Sequence, residues 1–369
     1  MTEEHAGLSR LSCRDFRNFE KLDIAFPESG LAIIGENGQG KTTLFEAIYY
    51  MQVLRSVRGA RDQDLVRFGA NGFFLSASSA LGGISVGFET AGRKKKVTRD
   101  GVVASRLSEA FGSLPSVMFS PRDIQLIAGG PAERRRFLDL VLALSSRRYL
   151  NALQHYRAAL ARRNASLREA ARSGDDSTVA VWEPPLAQHG ALLVCERAQW
   201  VKERAGEFAR LSAAIGEEGE SRMSYHSAIA REPDVQEALA GSLARQRGHD
   251  IRRGVTHSGP HRDDLSLTLK GKDLRVFGSA GQQRTAAIAL RMLERATLSE
   301  SRSISPVMLL DDPFAELDVR RSARILELLQ SAGLGQTILV VPRASDIPSE
   351  LIGLERRKIH AGVIEVSAA

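Results

Sequence analysis

The sequence predicts an α/β fold in which a mostly helical segment interrupts a domain built around a sheet. Short apolar runs alternate with helix-period segments at both ends of the chain. The period is helical from about residue 131 to 254, and no internal repeat is apparent. A chain of 369 residues can hold about two domains and bury a sizeable core. We therefore predict three segments, 1–120, 121–254 and 255–369, of which the first and third form one domain.

The N-terminal segment predicts strands followed by one helix and an antiparallel meander. LSRLSC, LDIAF and LAIIG are apolar runs parted by turns, and a helix is expected over 42–54. FFLSASSAL, ISVGFET, KKKVTRD and VVASRL then alternate between glycines. The lysines of KKKVTRD fit either a solvated hairpin or a DNA contact.

The middle segment predicts a helical arm. A strand at 117–119 leads into a loop broken by Pro121 and Pro131, which marks the boundary. SGDDST at 173–178 separates two helical runs, which are too short and too irregular in heptads for a long coiled coil. One helix face is formed by Tyr149, Leu153, Tyr156, Leu160 and Leu167, and another by Trp200, Phe208, Leu211 and Ile215.

Strand and helix alternate again after residue 254. LSLTLKGKDLRVF at 265–277 has strand character, and SAGQQRTAAIALRMLERA is expected to form a helix. VMLLDD predicts a buried strand, followed by a helix over 320–330, a strand at 337–341 and a terminal hairpin. These elements are expected to join the N-terminal strands in one sheet.

Composition is typical of a soluble protein, with 43% hydrophobic and 26% charged residues. No long uninterrupted apolar stretch is present, and the start MTEEHAGLSR lacks the basic-then-apolar pattern of a signal peptide. We expect a cytoplasmic protein without membrane contact. The two cysteines, Cys13 and Cys195, lie too far apart in sequence for a zinc cluster or a disulfide framework, so we expect two buried structural thiols.

Positive charge is concentrated in the predicted arm. Between residues 134 and 172 there are ten arginines and only two acidic residues, whereas the whole chain has a net charge of +7. Such a stripe indicates a polyanion partner, most simply nucleic acid, although a solvated helix face is the alternative. Arg135, Arg148 and Arg163 are the candidate DNA contacts.

The loop GENGQGKT fits the pattern G-x-x-x-x-G-K-[ST] between a predicted strand and a predicted helix. Main-chain N–H groups of such a loop wrap a polyphosphate, since glycines let the backbone approach closely. Lys41 is expected to reach the β- and γ-phosphates, and Thr42 to bind Mg²⁺. The alternative is a glycine-rich turn with a chance Lys-Thr pair. The candidate nucleotide-binding residues are Gly35, Glu36, Asn37, Gly38, Gln39, Gly40, Lys41, Thr42 and Thr43.

Two carboxylates end the buried strand of VMLLDD. With a phosphate loop present, Asp311 is placed to hold the hydration shell of Mg²⁺ opposite Thr42. Asp312 is then placed beside the γ-phosphate, where it orients the attacking water. In isolation, two acids after a strand would equally indicate a loop start or a helix cap. We predict Asp312 and Lys41 as the catalytic residues.

SAGQQ at 279–283 has two compatible interpretations. Ser279 can cap the helix that begins at about Ala280, with Gln282 completing a capping box. That interpretation leaves Gly281 unexplained. The second is that Ser279, Gly281 and Gln282 form an anion site at a helix start, which could bind a γ-phosphate.

The order GENGQGKT, SAGQQ and LLDDPFAELD resembles the ATPase heads of the ABC type, and a helical arm resembles their SMC-related branch. More specifically, several blocks resemble the RecF family of bacterial DNA replication and repair proteins. These blocks cover both ends of the chain and the start of the arm: LSRLSCRDFRNFEKLDIAF, NGQGKTTLFEAIYYM, SVRGARDQDLVRFG, MFSPRDIQLIAGGPAERRRFLD, SGPHRDDL, FGSAGQQRTAAIAL and LLDDPFAELD.

The resemblance implies an ABC-type ATPase head made by the two ends of the chain and a helical arm. It implies a cytoplasmic ATPase that uses ATP and Mg²⁺, dimerises on ATP and binds DNA at single-strand gaps and duplex junctions. It further implies work with RecR and RecO to help load RecA in the repair of DNA damage. By motif, Ser279 to Gln283 meet the nucleotide of the facing protomer, and Glu316, Leu317 and Asp318 match a loop at the dimer interface.

Some positions depart from the relatives. Thr43 stands where an asparagine is common after GKT, and Ala280 replaces a Gly or Gln of related signatures. His261 and Arg262 match the family block SGPHRDDL, with packing or contacts between protomers as their expected roles. Asp312 is one methylene shorter than the Glu usual in transporters, so we expect weak ATPase activity, raised by DNA.

Two rival classes share the nucleotide site. A transporter-type ATPase subunit is disfavoured by the charge of the arm and by the DFRNF opening. An architectural SMC-like head that holds DNA by topology would need long coiled coils, which 369 residues do not accommodate.

Overall fold

The structure is a computed structural model that describes residues 4–313, 318–331, 333 and 335–366. The chain divides into two compact units. Unit 1 comprises Met1–Arg122 and Glu294–Ala369, and unit 2 comprises Asp123–Leu293. Unit 1 is thus assembled from both ends of the chain, with unit 2 inserted between them.

Most of the strands belong to unit 1. The strands are β1 (Glu4–His5), β2 (Leu8–Phe16), β3 (Phe19–Ala25), β4 (Gly30–Ile34), β5 (Gly72–Ser79), β6 (Gly82–Glu89), β7 (Lys94–Arg99), β8 (Val102–Val103), β9 (Ser116–Phe119), β10 (Ser221–His226), β11 (Asp264–Leu269), β12 (Lys272–Asp273), β13 (Ile304–Ser305), β14 (Val307–Asp311), β15 (Thr337–Val341), β16 (Glu355–His360) and β17 (Val363–Val366).

Unit 2 contains most of the helical residues. The helices are α1 (Lys41–Val53), α2 (Leu107–Ala110), α3 (Gln125–Ala128), α4 (Pro131–Ser145), α5 (Arg147–Ser173), α6 (Glu183–Ile215), α7 (Val235–Arg253), α8 (Leu274–Phe277), α9 (Ala280–Arg302) and α10 (Val319–Ser331).

A six-stranded sheet of unit 1 joins the two ends of the chain. Its order is β17-β16-β4-β15-β14-β9, and every pair is parallel except β16 with β17. Strand β4 is fully apolar and lies between two strands from the C-terminal part, as expected for a strand buried on both faces. Residues that follow β4, β14 and β15 therefore emerge at the same edge of the sheet.

The second sheet of unit 1 is the predicted antiparallel meander. Its order is β3-β2-β5-β6-β7-β8, with antiparallel pairing throughout. Helix α1 packs against strands of both sheets, and Leu44–Val53 are all buried. Tyr50 meets Phe16 and Phe73 edge-to-face, with ring centroids 6.2 and 5.7 Å away. The helix that follows the phosphate loop is thus part of the buried core of unit 1.

In unit 2, α4 to α7 pack on one another and on a small sheet of β10, β11 and β12. The predicted apolar faces are buried at Tyr149, Leu153, Tyr156 and Leu167 on α5 and at Trp200, Phe208, Leu211 and Ile215 on α6, whereas Leu160 on α5 is half-buried. Pro184 and Pro185 lie in the first turn of α6, where their missing N–H groups cost little.

Several element predictions need correction. LRVF at 274–277 forms the short helix α8 and not the end of a strand. Asp273 caps the N-terminus of this helix, since its carboxylate accepts the Arg275 N–H at 2.8 Å. Strand β10 lies within the stretch predicted to be helical, where it pairs antiparallel with β11. Because that pairing ties residues 264–269 to unit 2, the structure groups 255–293 with the helices, whereas we predicted that this stretch returns to the first domain.

Cys13 is buried as expected, but Cys195 is exposed on α6, so the expectation of two buried thiols is wrong for the second. Among the described helices, none has both the length and the apolar character that a membrane span requires.

Candidate nucleotide-binding site

The phosphate loop connects β4 to α1, as its sequence predicts. Gly38 and Gly40 have φ values of 83° and 112°, a left-handed region that favours glycine. A Cβ atom on Gly40 would lie 2.9 Å from the Asn18 side-chain nitrogen and 3.1 Å from the Phe19 ring. A glycine at position 40 therefore permits both the left-handed turn before α1 and the close packing of the loop against Asn18 and Phe19.

The loop is held from outside by the C-terminal strands. The Gly35 N–H donates to the Val341 carbonyl at 3.2 Å. Gln39 accepts twice from the turn between β16 and β17, from Ala361 N–H at 2.6 Å and from Gly362 N–H at 3.0 Å. A Cβ atom on Gly35 would lie 2.6 Å from the Ile359 carbonyl oxygen. These contacts hold the main chain of the loop against the C-terminal strands.

Lys41 begins α1 and folds back over the loop. Its Nζ donates to the carbonyl oxygen of Gly35 and, at 2.8 Å, to that of Glu36. Burial lowers the pKa of Lys41, while Asp311, Asp312 and Glu36 oppose that shift. The ammonium group thus lies against the main chain of the phosphate loop, and its contact with phosphates stays a prediction.

The two carboxylates of VMLLDD lie at the edge of the sheet where β14 ends. Asp311 is half-buried, and burial raises its pKa to about 6, with a further increase from the charge of Asp312. Lys41, Arg58 and Arg122 oppose the shift. Asp312 adopts a φ of 45° and donates its N–H to the Val340 carbonyl at 3.0 Å. The strand pairing thus sets the direction in which both carboxylates leave the sheet.

Most of the predicted nucleotide residues of unit 1 line one cleft of about 690 Å³. The phosphate loop contributes one wall and the end of β14 contributes another. The predicted residues that line it are Asn37, Gly38, Gly40, Lys41, Thr42, Thr43, Asp311 and Asp312. A polyphosphate and its counter-ion fit a cleft with main-chain N–H groups on one side and carboxylates on the other.

The residues present fit a Mg²⁺ ion. A hydroxyl and a carboxylate, from Thr42 and Asp311, are the hard oxygen donors that Mg²⁺ prefers alongside water and phosphate. Burial and the neighbouring charge of Asp312 raise the pKa of Asp311, and a divalent cation would favour the charged form of both carboxylates. Thr42 and Asp311 are therefore the residues that would hold the ion.

Three arginines that sequence reasoning did not single out also line the cleft: Arg17, Arg58 and Arg122. Arg17 is held by the buried carboxylate of Glu46 at 3.0 Å and by the Asp64 carbonyl, also at 3.0 Å. Arg122 follows β9, which belongs to the same parallel sheet as β4 and β14. The sequence signal that could have identified Arg122 is its position shortly after a strand of this sheet.

Ser279 precedes α9 and forms the predicted capping box. The Ser279 N–H donates to the Gln282 side-chain oxygen at 2.9 Å, and the Gln282 N–H donates to the Ser279 hydroxyl at 3.3 Å. Gln283 instead donates to the Leu274 carbonyl at 2.9 Å. Ser279 and Ala280 are exposed, so this helix start is open to solvent. It belongs to unit 2, whereas the cleft is lined by residues of unit 1.

The interface loop predicted at 316–318 is described only in part. Glu316 and Leu317 lie outside the described residues. Asp318 begins α10 as its cap, since its carboxylate accepts the Arg321 N–H at 2.9 Å.

The structure removes Arg163 from the candidate DNA contacts. Its side chain is fully buried between α5, α6 and α7, where it donates to Asp250 at 2.7 Å, Thr256 at 2.9 Å and Glu183 at 3.1 Å. A guanidinium without exposed surface cannot reach a phosphate, so this assignment is corrected to a structural role.

Arg135 and Arg148 occupy different environments. Arg135 is half-buried and donates to the Asp263 carbonyl at 2.8 Å, and burial lowers its pKa. Arg148 has a side chain that is 75% exposed and lies 3.9 Å from Glu196. Of the three predicted arginines, Arg148 is therefore the one that a large anion can approach.

Most other arginines of the stripe are exposed on or beside α5. Arg134 is buried against Asp264 at 2.8 Å, which removes it from the surface. The exposed members are Arg136, Arg147, Arg148, Arg157, Arg162, Arg168 and Arg172. An exposed basic surface is therefore present, but it contains only seven of the ten arginines counted in the sequence.

His261 has a packing role. Its Nδ1 lies 2.6 Å from the Tyr156 hydroxyl and its Nε2 lies 3.0 Å from the Thr256 carbonyl. Burial lowers the pKa of His261 to about 4, so the ring is neutral at physiological pH. Arg262 donates to the same Thr256 carbonyl at 2.9 Å.

Comparison with known proteins gives relatives over nearly the whole chain. Residues 10–107 match the family model described as an AAA domain. The DNA replication and repair protein RecF of Symbiobacterium thermophilum is 36% identical over 336 residues, which cover 88% of each chain.

Solved structures agree. The recombination mediator protein RecF of the RecFOR pathway, in its structure with ATP, superposes with a TM-score of 0.90 at 29% identity and covers 100% of both chains. The Smc head domain with an extended coiled coil from Pyrococcus furiosus has a TM-score of 0.57 at 17% identity, which shows a shared fold alone. It covers 98% of this chain and 96% of the Smc chain.

Proposed function

The chain belongs to the RecF family of DNA replication and repair proteins, and from this premise we propose that it is an ATP-dependent recombination mediator. In this proposal it binds ATP with Mg²⁺, dimerises on ATP and binds DNA at single-strand gaps and duplex junctions. It acts in the cytoplasm with RecR and RecO to help load RecA. It hydrolyses ATP weakly, and DNA raises the rate.

The observation that carries the proposal is the convergence of Lys41, Thr42, Asp311 and Asp312 on one cleft at the edge of a parallel sheet. Each residue has a distinct task there. Lys41 exchanges its two loop carbonyls for the β- and γ-phosphate oxygens, which neutralises charge that grows during phosphoryl transfer. Mg²⁺, when bound, supplies further charge neutralisation on the same oxygens.

Asp312 is the proposed catalytic carboxylate. It follows Asp311 directly and leaves the strand with a φ of 45°, so the two carboxylates take different directions. Asp312 orients the attacking water, while Asp311 serves the metal. Because an aspartate reaches one methylene less far than a glutamate, water is held less well and turnover is slow.

The second half of the nucleotide site is proposed to come from another copy. Ser279, Gly281 and Gln282 stand at an exposed helix N-terminus whose N–H groups and dipole favour an anion. A γ-phosphate held by the cleft of one protomer and by this helix start of its partner couples ATP binding to dimerisation. Because ATP binds in this way only to the dimer, ATP stabilises the dimer by mass action, and hydrolysis then lets the protomers separate.

Sedimentation velocity tests this arrangement. We expect a monomer without nucleotide or with ADP, and a dimer at saturating ATP with Mg²⁺, more so when gapped DNA is supplied. Lys41→Ala should remain a monomer with ATP. A parent protein that stays monomeric at saturating ATP with gapped DNA present contradicts the proposal, as does a Lys41→Ala protein that dimerises with unchanged affinity.

The partner assignment needs its own test. A pull-down with tagged RecR, in the presence of ATP and gapped DNA, should retain the protein, and omission of ATP should reduce the amount retained. Retention that is the same with ATP, with ADP and without DNA would argue against a nucleotide-controlled mediator.

A further inference from the structure

His249, Asp250 and His257 come together in unit 2, and none of them lines the nucleotide cleft. His249 and Asp250 belong to the last turns of α7. Gly254, with a φ of 67°, ends the helix and reverses the chain, which brings His257 back beside them. The rings of His249 and His257 meet edge-to-face with centroids 4.6 Å apart.

Asp250 presents its two oxygens to different partners. Oδ2 accepts from buried Arg163 at 2.7 Å. Oδ1 accepts from the His257 N–H at 3.2 Å, lies 2.7 Å from the His257 Nδ1 and is 4.0 Å from the His249 Nδ1. One oxygen is therefore fixed by a cation, while the other faces two imidazoles.

We propose that His249, Asp250 and His257 form a binding site for Zn²⁺. The three side chains each offer one ligand atom, and these atoms all lie within 4.8 Å of one another. Two imidazole nitrogens and one carboxylate oxygen, with water in the fourth position, are a donor set that suits Zn²⁺ and not Mg²⁺ or Ca²⁺.

The geometry needs only a small adjustment. In a tetrahedral site with metal–ligand distances of about 2.1 Å, two ligand atoms lie about 3.4 Å apart. The His249 side chain is 47% exposed, so it can rotate toward Asp250 without disturbing the core. Zn²⁺ takes the place between the His257 Nδ1 and Asp250 that a proton holds in the hydrogen bond. A neutral imidazole then carries its proton on Nε2, and an imidazolium releases one proton to solvent.

Arg163 and the surrounding surface favour the site. By holding Oδ2, Arg163 orients the carboxylate so that Oδ1 points to the histidines, as outer partners of metal ligands commonly do. His257 is 31% exposed and also lines a cavity of about 610 Å³, which gives the ion a route from solvent. Zn²⁺ would join the end of α7 to the loop that precedes SGPHRDDL.

Isothermal titration with ZnCl₂ tests the proposal on the full-length protein after EDTA treatment and dialysis. Excess Mg²⁺ in the buffer occupies the carboxylates of the nucleotide cleft. We expect one Zn²⁺ per chain and a rise in melting temperature on saturation. His249→Ala should weaken the affinity at least about tenfold, because it removes one of three ligands from an exposed position.

The matched control is His155→Ala. His155 is also exposed and stacks on His189 with centroids 4.9 Å apart, but it is not part of the three-residue group. This variant should bind Zn²⁺ like the parent. Co²⁺ as a probe should give the strong visible absorption of four-coordinate cobalt in the parent and not in His249→Ala. Absence of Zn²⁺ binding by the parent, or equal affinity in His249→Ala, would overturn the proposal and leave the cluster as a hydrogen-bonded pair.

Discussion

Arg163 donates a 2.7 Å hydrogen bond to Asp250, and neither side chain has any exposed surface. Glu183 accepts from the same guanidinium at 3.1 Å and from Arg247 at 2.6 Å. Part of the positive charge of the arginine-rich arm is therefore buried in ion pairs. It joins α5, α6 and α7 where they pack.

Arg163→Met should destabilise the protein strongly. Removing one partner of a buried pair leaves the other carboxylate uncompensated, which costs about 3–5 kcal/mol. Urea unfolding followed by circular dichroism measures the change. Arg148→Met removes an exposed arginine of the same helix and should change the stability by less than about 0.5 kcal/mol. Equal midpoints for the two variants would refute the structural role of Arg163.

Lys41→Ala should lose ATP affinity without loss of fold. Burial lowers the pKa of Lys41, so the folded state gains nothing from charging this group. Equilibrium binding of a fluorescent ATP analogue should weaken at least about tenfold, while the melting temperature is unchanged or higher. Lys21→Ala, at an exposed position of unit 1, serves as the control and should bind like the parent.

Asp311→Asn should stabilise the protein at high pH while it abolishes Mg²⁺-dependent ATP binding. Burial and Asp312 raise the pKa of Asp311 from 3.8 to about 6, so the folded state prefers the neutral form. The stabilisation from protonation is complete below about pH 4 and is lost as the pH rises through about 6. Melting curves from pH 4 to 8 should show the variant gaining on the parent as the pH rises. A variant that is less stable than the parent at pH 8 would contradict the electrostatic argument.

Two substitutions of Ser279 separate its capping role from its proposed phosphate contact. Ser279→Asp keeps a good N-cap but places a negative charge at the helix start. Ser279→Ala loses the cap at a cost of about 1 kcal/mol. We expect the Ser279→Asp variant to lose ATP-dependent dimerisation while its stability is unchanged. If this variant dimerises normally with ATP, the γ-phosphate held by the partner protomer does not lie at this helix start.

DNA binding should depend on exposed arginines of α5. Arg148→Glu with Arg168→Glu should weaken duplex binding and reduce the slope of log affinity against log salt by about 0.9 for each lost phosphate contact. Lys94→Glu with Lys96→Glu changes the net charge equally on an exposed hairpin of unit 1 and should have little effect. Fluorescence anisotropy at several salt concentrations measures both. Equal losses in the two variants would indicate a general charge effect.

The nucleotide cleft could be predicted because its parts obey local rules. A strand, a glycine-rich loop and a helix follow one another within residues 30–53, and carboxylates that end a parallel strand must emerge at the same sheet edge. The capping box at Ser279 is likewise contained within four residues. Neither needs information from distant parts of the chain.

The fate of individual arginines could not be predicted in the same way. Arg163 and Arg148 have the same residue type and lie on one helix. The acidic residues that pair with buried Arg163, Glu183 and Asp250, lie 20 and 87 residues away in sequence. Strand β10 was missed for a related reason. SRMSYH has only six residues, and its strand identity depends on pairing with β11. The division of the chain after residue 254 depends on that same pairing.

The position of β4 has a consequence for biosynthesis. Its neighbours β15 and β16 follow it only at residues 337–341 and 355–360, and Gln336 contacts Leu8 across 328 positions of sequence. At bacterial translation rates this delay is on the order of tens of seconds, during which the apolar residues of β4 have no sheet to join. The sheet that carries the phosphate loop therefore closes only after β15 and β16 have left the ribosome, and we expect ATP binding to follow that step.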